Sequence, residues 1–256
     1  VAITGAKGLL GSLLIKLLNK KKIPYLTYNY NINDKRKLDK WLKKNSEIEY
    51  FFHFAAVTTP STVKKDIKLA NLTNIYSLKN IIKILKNNDI WFFFPSSSHV
   101  YEASKKKLTE KSKTKPISYY GKTKLIGENL FKKYKSKKLK FCIGRIFSVY
   151  HNNQKRPFLL PSIKDLVKKS TKRTIKIENG NSVRDFIHAE RVIKIIFKLS
   201  QLKAKGTYNI ANGKGKSVIK FLEENIKINK KFIPTGEKNY IVGDIKKLKK
   251  KLNEKV

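Results

Sequence analysis

Residues 1–11 are Val-Ala-Ile-Thr-Gly-Ala-Lys-Gly-Leu-Leu-Gly, and this stretch decides the fold. Its first four residues predict a short apolar strand that breaks at Gly5, and apolar residues recur at helical spacing over residues 9–18. The first glycine permits a tight turn, the second lets the backbone approach a pyrophosphate, and the third allows close helix–strand packing. The N–H groups at the helix start are donors for an anion. Three glycines between a strand and a helix therefore predict a dinucleotide-binding turn.

Predicted strands and helices alternate beyond this turn. The strands are expected at residues 25–30, 49–54, 90–94 and 140–147, and the helices at residues 35–44, 69–86 and 119–134. Such alternation is typical of a parallel sheet with helices on both faces. The predicted fold class is α/β: a Rossmann doubly wound parallel sheet followed by a small C-terminal α/β substrate lobe.

The alternation weakens after residue 150, which suggests the domain boundaries. We expect an NAD(P)-binding Rossmann domain at residues 1–150, completed by residues 189–211, where a helix (191–199) precedes a strand (207–210). Residues 151–188 and 212–256 are assigned to the small substrate-binding lobe. Their predicted elements are a helix at 160–170, a strand at 174–177 and helices at 218–226 and 245–252.

The formal net charge of +41 comes almost entirely from Lys, which is spread along the whole chain with many Asn and Ile residues. A nucleic-acid surface would concentrate the charge, favour Arg and interleave aromatic residues. We therefore interpret the charge as a solvated surface and expect no specific nucleic-acid partner, although an anionic substrate would still be attracted.

Several other classes of protein are disfavoured. No apolar window is long enough to span a membrane, and the first residues are strand-like rather than typical of a signal peptide. Cys142 is the only cysteine, so no disulfide can form within the chain, which fits the cytoplasm. No Cys or carboxylate cluster accompanies His53 or His188 at metal-ligand spacing, so we expect structural histidines and no metal.

The second predicted strand bears on the choice of cofactor. Its end carries Tyr28, Asn29 and Tyr30, where a carboxylate for the adenosine ribose is usual, and Lys7 lies beside the phosphate turn. A missing carboxylate with a nearby cation slightly favours NADP over NAD. Because Lys is so abundant, both cofactors stay open.

Three Tyr-x-x-x-Lys matches occur, beginning at Tyr101, Tyr120 and Tyr134. With about a fifth of the chain being Lys, two or three matches are expected by chance. Tyr120 and Lys124 lie in the first turns of a predicted helix and project to one face. The other two matches fall in a loop and at a Lys-rich helix end, so we favour Tyr120 as the functional residue.

The expected chemistry is hydride transfer with a tyrosine as acid and base. An ammonium group near Tyr120 would lower the pKa of its phenol towards neutrality. A serine hydroxyl from the neighbouring strand end would orient the substrate oxygen, and the nicotinamide would take or give the hydride.

Together these pieces resemble the extended short-chain dehydrogenase/reductase family, specifically its NAD(P)-dependent nucleotide-sugar epimerases, reductases and dehydratases. The resemblance spans nearly the whole chain and rests on the order and spacing of several motifs. These are Thr4 to Gly11, His53-Phe54-Ala55-Ala56, Asn71, Ser96-Ser97-Ser98-His99-Val100-Tyr101, Tyr120 to Lys124 with Glu128, Arg184-Asp185-Phe186-Ile187-His188, Thr207 to Ile210, and Gly213-x-Gly215.

The resemblance implies roles for individual residues. Ser97, Tyr120 and Lys124 match the catalytic set, and Arg184 matches a residue that grips the substrate diphosphate. Asn31-Ile32 corresponds to an Asp-Ile/Leu pair at the adenine, with Asn replacing Asp. The implied cofactor residues are Gly5, Lys7, Gly8, Leu9, Leu10, Gly11, Asn31, Ile32, Phe54, Ala55, Ala56, Asn71, Tyr120 and Lys124, and the implied substrate residues are Ser98, His99, Ser148 and Arg184.

The sequence also departs from the family pattern. Ser98-His99 replaces the Asp-Glu of the dehydratases, which argues against 4,6-dehydration, and Ser148 replaces a frequent Asn near the substrate. We expect an epimerase or oxidoreductase acting on a nucleotide-linked sugar. An NADPH-dependent reductase of a 4-keto sugar nucleotide or another carbonyl is the alternative, and a non-catalytic binding protein is disfavoured. The family implies a homodimer formed by the Tyr120 helix and the 69–86 helix.

Overall fold

The computed structural model describes residues 1–134, 136–227 and 229–253. The helices are α1 (Leu9–Lys20), α2 (Lys35–Lys44), α3 (Pro60–Lys65), α4 (Ile67–Asn71), α5 (Ser77–Leu85), α6 (Tyr119–Lys133), α7 (Leu159–Lys169), α8 (Ala189–Gln201), α9 (Val218–Asn225) and α10 (Lys246–Leu252). The strands are β1 (Ala2–Thr4), β2 (Leu26–Tyr28), β3 (Tyr50–His53), β4 (Trp91–Ser97), β5 (Lys140–Ile146), β6 (Ser148–Tyr150), β7 (Thr174–Glu178), β8 (Val183–Arg184), β9 (Phe186–His188), β10 (Gly206–Ile210), β11 (Lys216–Ser217), β12 (Lys231–Thr235) and β13 (Tyr240–Ile241).

The main sheet has six strands in the order β2-β1-β3-β4-β5-β10, and all its pairings are parallel. The chain first adds β2 on one side of β1 and then crosses to β3 on the other side. Ligands of such sheets bind at the carboxyl ends of the strands where the order reverses. The glycine turn follows β1 at this point, and the predicted doubly wound Rossmann fold is confirmed.

β4 forms the centre of the apolar core. Trp91 and Phe93 pack with α1 and α8 on one face of the sheet, while Phe92 and Phe94 pack with α2, α5 and α6 on the other. Full burial of each such side chain stabilises the fold by about 1.5–3 kcal/mol. The Trp91 indole N–H is not left unpaired, because it donates to the Ala204 carbonyl oxygen at 2.8 Å.

Two predicted elements differ from the structure near the cleft. The helix expected at 69–86 is divided into α4, a π-helical stretch at Leu72–Tyr76, and α5. The strand expected at 90–94 continues to Ser97, because its last residues pair with Gly144, Arg145 and Ile146 of β5. Tertiary pairing here overrides the weak strand propensity of serine and proline.

The remaining elements surround the carboxyl edge of the main sheet. β6 pairs with β9, β7 pairs with β12, and β8 lies between β11 and β13. A small core that includes Leu160, Ile175, Phe221 and Phe232 supports them. Most of these strands and the short helix α3 were not predicted, since segments of two to six residues carry too little periodicity to be recognised. The division into a Rossmann domain and a substrate lobe stays a prediction.

Candidate active site

The glycine turn has a geometry that side chains would not tolerate at two positions. Gly5 has φ +70°, and a Cβ on it would lie 2.5 Å from the Ala55 nitrogen. A Cβ on Gly11 would lie 2.3 Å from the Gly5 carbonyl oxygen. Gly8 is exposed and has more room, with its Cβ position 3.3 Å from the same oxygen. The structure thus requires glycine at positions 5 and 11 for close backbone packing. Gly8 has no side chain, so the backbone on the outer surface of the turn is accessible to a ligand.

The turn forms one wall of a cleft of about 360 Å³ at the carboxyl ends of β1, β2 and β3. The cleft is lined by Gly5, Ala6, Lys7, Gly8, Tyr28, Asn29, Tyr30, Asn31, Ile32, Asn33, Ala55, Ala56, Leu69 and Thr73. Seven of the expected cofactor residues are therefore brought together: Gly5, Lys7, Gly8, Asn31, Ile32, Ala55 and Ala56. Leu9, Leu10, Gly11, Phe54 and Asn71 are not part of this lining.

Several of these other residues support the cleft from behind. The side chains of Leu10 and Phe54 pack against the apolar core beneath the sheet. The Phe54 N–H donates to the Thr4 carbonyl oxygen at 3.0 Å, which continues the β1–β3 pairing. Asn71 accepts a hydrogen bond from the Tyr119 hydroxyl group at 3.0 Å, so it holds α4 to the start of α6.

The loop after β2 presents amide and phenol groups to the cleft, and none of the described residues that line the cleft carries a carboxylate. The Asn31 side-chain oxygen accepts from the Asn33 N–H at 2.9 Å and is used in a local turn. The Asn33 amide nitrogen donates to Thr73 at 3.0 Å, while its Oδ1 atom is buried and has no hydrogen-bond partner in the described chain. The glycine cradle and this unpaired acceptor fit a bound dinucleotide.

The three expected catalytic residues converge where β4 ends. α6 is capped by Ser118, whose side chain accepts from the Gly121 N–H. A Cβ on Gly121 would lie 2.3 Å from the His99 carbonyl oxygen, so the helix directly abuts the turn that follows Ser97. The Ser97 hydroxyl group faces the Tyr120 phenol and stabilises its ionised form. The Lys124 ammonium group lies 5.9 Å from the Tyr120 ring centroid and donates to the Pro95 carbonyl oxygen at 2.8 Å.

The pKa of the Tyr120 phenol shifts in the direction opposite to our expectation. Desolvation by the surrounding protein raises the pKa of Tyr120 to about 12, and the interaction with Ser97 only partly offsets this. Desolvation also lowers the pKa of Lys124 to about 8. The ammonium group is directed to a backbone carbonyl rather than to the phenol, which explains why it does not reverse the effect of burial.

His99 contacts Tyr120, and the charge of Arg184 acts on His99. The His99 ring is exposed to solvent and meets the Tyr120 ring edge-on, with centroids 5.6 Å apart. Surrounding protein and then the Arg184 charge lower the pKa of His99. Arg184 is half-buried, and its Nη1 atom donates to the carbonyl oxygens of Val183 and Asn239.

The other two expected substrate residues are less accessible. Ser98 is buried, and its carbonyl oxygen accepts from the Tyr101 N–H at 3.1 Å. Ser148 is half-buried at the start of β6, and its N–H donates to the Asp185 carbonyl oxygen at 2.9 Å. The structure therefore brings His99 to Tyr120 and Arg184 within electrostatic range of His99, and it uses the backbone groups of Ser98 and Ser148 to join segments.

Residues 1–211 match the NAD dependent epimerase/dehydratase family. The chain belongs to this family. It is thus an enzyme of the NAD dependent epimerase/dehydratase type, and the resemblance to the extended short-chain dehydrogenase/reductases is confirmed.

Several known proteins are similar to this chain over most of its length. A GDP-6-deoxy-D-talose 4-dehydrogenase from Aggregatibacter actinomycetemcomitans is 28% identical over 266 residues, covering 97% of this chain and 89% of that protein. MoeE5 in complex with UDP-glucose and NAD has a TM-score of 0.83 at 20% identity, over 98% of this chain and 91% of that chain. A dTDP-4-dehydrorhamnose reductase from Clostridium acetobutylicum has a TM-score of 0.82 at 21% identity, over 94% and 89%. At these identities the two solved structures support the Rossmann fold.

The described residues were also searched for membrane-spanning helices and for metal sites. Within the described residues, no helix is both long enough and apolar enough to cross a membrane. The same residues contain no group of three His, Cys, Asp or Glu side chains arranged to hold a metal ion.

His53 is buried against β1, where its Nδ1 atom lies 2.8 Å from the Thr4 hydroxyl oxygen, and burial lowers its pKa to about 3. His188 caps α8.

Tyr101 and Tyr134 begin the other two Tyr-x-x-x-Lys matches. Both side chains take part in the packing of the fold. The Tyr101 side chain is only 3% exposed, and its hydroxyl group donates to the Asn209 side-chain oxygen at 2.6 Å. Tyr134 lies at the C-terminal cap of α6 and packs against the apolar core. Neither residue is among those that converge on Ser97.

The sequence did not indicate that charged side chains are buried near the site or which partners they have. Glu128 on α6 and Arg145 on β5 form a buried ion pair with an Nη2–Oε2 distance of 2.7 Å. Asp185 is fully buried and accepts from the N–H groups of Asn212, Gly213 and Gly243, although desolvation raises its pKa. The sequence carries a signal for one partner only, because Arg145 is a charged residue that follows the run Phe141 to Gly144 inside β5.

Proposed function

We propose that this chain transfers a hydride at C4 of the sugar in a nucleoside-diphosphate sugar, with Tyr120 as the proton donor and acceptor. The convergence of Ser97, Tyr120 and Lys124 at the end of β4, beside the dinucleotide cleft, is the observation that carries this proposal. The 4-dehydrogenase relative and the reductase-like fold support C4 as the reacting carbon. We favour a dehydrogenase or reductase that releases its product over an epimerase.

Tyr120 is protonated at neutral pH and can serve as the proton donor in the reductive direction. Because its pKa is raised to about 12, the phenol carries its proton at neutral pH and can donate it to a carbonyl oxygen at C4. The Ser97 hydroxyl group then stabilises the phenolate that forms. With a pKa of about 8, Lys124 is mostly protonated at neutral pH and adds a positive charge nearby. Oxidation of the alcohol would use the same groups in reverse.

The cofactor in this proposal is NAD or NADP, with a slight preference for NADP. When bound, its nicotinamide ring supplies or accepts the hydride. Gly5, Gly8 and Gly11 would hold the pyrophosphate, and the β2 loop would meet the adenosine. The absence of a carboxylate from the described cleft lining, together with Lys7, supports a ribose 2′-phosphate.

Arg184 and His99 are the proposed substrate contacts. A guanidinium group suits bidentate recognition of a diphosphate, and Arg184 is already oriented by two backbone carbonyl oxygens. His99 would hydrogen-bond a sugar hydroxyl group, because its ring is exposed and touches Tyr120. Its lowered pKa keeps the imidazole neutral near neutral pH, so one ring nitrogen accepts and the other donates.

We also propose a homodimer. Leu72 and Tyr76 on the π-helical stretch and Ile126 on α6 are large apolar side chains exposed to solvent. The two helical segments contact each other, and a second copy would cover these exposed side chains.

The function is tested with GDP-, UDP- and dTDP-linked 4-keto-6-deoxyhexoses and with NADPH or NADH, by following nicotinamide absorbance. We expect stoichiometric oxidation of the cofactor with at least one substrate. Tyr120→Phe should reduce kcat at least about a hundredfold while cofactor binding is retained. Tyr134→Phe makes the same change at the other end of α6 and should behave like the wild type.

Two further results would change the proposal. Interconversion of two nucleotide sugars without net cofactor consumption would show an epimerase instead. Full activity of the Tyr120→Phe variant would refute Tyr120 as the proton donor. For the substrate, Arg184→Ala should raise KM for the nucleotide sugar, and the exposed Arg173→Ala serves as the charge-matched control.

A further inference from the structure

The face of α6 that carries Tyr120 and Lys124 carries a third polar residue one turn further along. Glu128 is only 1% exposed, and its Oε1 atom accepts a hydrogen bond from the Ser96 hydroxyl group at 2.6 Å. Ser96 lies between the other two β4 residues that α6 contacts, since Lys124 bonds to Pro95 and Tyr120 faces Ser97. Three consecutive turns of the helix thus engage three consecutive residues of the strand.

The carboxylate of Glu128 is held from its other side by Arg145. The guanidinium Nε atom donates to Oε1 at 2.9 Å and Nη2 donates to Oε2 at 2.7 Å, which is a bidentate arrangement. Arg145 lies directly opposite Ser96 in the β4–β5 register, and it also donates to the Glu110 carbonyl oxygen. Glu128 therefore cannot rotate away from Ser96 without leaving a buried cation unpaired.

An apolar pair at these two positions would stabilise the fold about as well as this ion pair does. Desolvation of two buried charges offsets most of their attraction, and well-packed apolar residues of similar volume are often as stable. A bidentate pair differs from an apolar pair in fixing direction and distance. Geometry rather than stability is therefore what this pair supplies at this position.

At the far end of α6 the Phe131 ring packs on the Phe92 and Phe94 rings of β4, with centroids 5.0 and 5.5 Å apart, and nearer to Tyr120 the contacts of the helix with the strand are polar. A Cβ on Gly127 would lie 2.5 Å from the Phe94 ring, so the helix approaches the strand through glycines. Glycines allow close contact but provide no interlocking side chain along the strand direction. The Ser96–Glu128 and Lys124–Pro95 hydrogen bonds supply directional contacts between the two elements in addition to the Ser97–Tyr120 interaction.

We propose that Ser96 and Glu128, braced by Arg145, are positioning residues that set the register of α6 on β4 and hence the placement of Tyr120 against Ser97. The proposal rests on the proposed function for the role of Tyr120. It assigns to the serine before Ser97 a role distinct from substrate contact.

The kinetic test uses Ser96→Ala, which removes one hydroxyl group and keeps the Glu128–Arg145 pair. The control is Ser200→Ala, since Ser200 is equally buried and donates to the Phe197 carbonyl oxygen at 2.7 Å on the opposite face of the sheet. We expect kcat to fall about tenfold in Ser96→Ala, because small misplacements of a catalytic group reduce turnover strongly, with KM unchanged. The Ser200→Ala variant should keep the wild-type kcat.

A second measurement keeps this test independent of turnover. In protein labelled at the tyrosine Cζ carbon, the Tyr120 resonance is identified by its loss in Tyr120→Phe. We expect Ser96→Ala to shift this resonance and Ser200→Ala to leave it in place. If no sugar nucleotide is turned over, the proposed function is wrong. The Tyr120 resonance still tests whether Ser96 sets the register of α6 on β4.

The inference is overturned if the Tyr120 resonance of Ser96→Ala coincides with that of the wild type. It is also overturned if Ser96→Ala and Ser200→Ala have the same kcat.

Discussion

Lys124 should make the stability of this protein depend on pH in a defined window. Its ammonium group is almost fully buried, and desolvation lowers its pKa from 10.5 to about 8 in the folded state. In the unfolded chain the ordinary pKa is restored. Between these two pKa values the unfolded state binds more protons than the folded state, so stability rises with pH. Below about pH 8 both states are protonated and the full penalty is present.

The magnitude follows from the difference between the two pKa values. One pKa unit corresponds to about 1.4 kcal/mol, so burial of the charged Lys124 reduces the free energy of unfolding by about 3 kcal/mol at neutral pH. Between about pH 7 and about pH 10, some 2.5 kcal/mol of this penalty is expected to disappear. A Lys124→Met variant keeps the length of the side chain and removes the titration.

The assay is urea unfolding of the wild type and of Lys124→Met at several values between about pH 7 and about pH 10. The difference between their free energies of unfolding should change by about 2.5 kcal/mol across this window, with the wild type gaining relative to the variant. Loss of the Lys124–Pro95 hydrogen bond adds only a pH-independent offset. Lys122→Met, at an exposed site on the same helix, is the control. A pH-independent difference for Lys124→Met would refute the reasoning.

Three other changes have defined outcomes. Gly11→Ala places a Cβ 2.3 Å from the Gly5 carbonyl oxygen, so we expect a loss of about 1–3 kcal/mol in urea unfolding and weaker dinucleotide binding; wild-type values for both would contradict this. Arg145→Met leaves Glu128 as an unpaired buried charge and should lower the free energy of unfolding by about 3–5 kcal/mol, whereas the double variant that also carries Glu128→Leu should recover most of it. Tyr76→Lys, at a site that is 59% exposed, should yield a monomer in sedimentation analysis where the wild type is a dimer; an unchanged mass would exclude this face.

The main sheet was predictable because its signals are local. The strand–glycine–helix start and the apolar runs that became β3, β4 and β5 each carry their own periodicity or composition. Element bounds were less predictable where a partner decides them. β4 extends through Ser96 and Ser97 because β5 lies beside it, and no pattern within residues 95–97 indicates a strand.

The sequence indicated the residues that converge at the end of β4, whose catalytic role stays a prediction, and it did not indicate the buried contacts around them. Tyr120 and Lys124 could be separated from two other matches because helix position is a local property. The Glu128–Arg145 pair joins residues 17 positions apart on two different elements, so only the fold brings them together. The pKa of Tyr120 was predicted in the wrong direction for a related reason, because burial depends on atoms from many parts of the chain.

β10 lies far along the chain from its partner β5, and this separation has a consequence while the chain is being synthesised. β5 lies between β4 and β10, and β10 begins only at Gly206, after an excursion of helices and short strands. A nascent chain that ends before this point presents β5 as a bare apolar edge containing Cys142 and Ile143, which is a template for aggregation. Trp91 likewise lacks the Ala204 acceptor until then. Truncated chains that end near residue 150 should therefore aggregate, and chains that extend to residue 211 close the sheet.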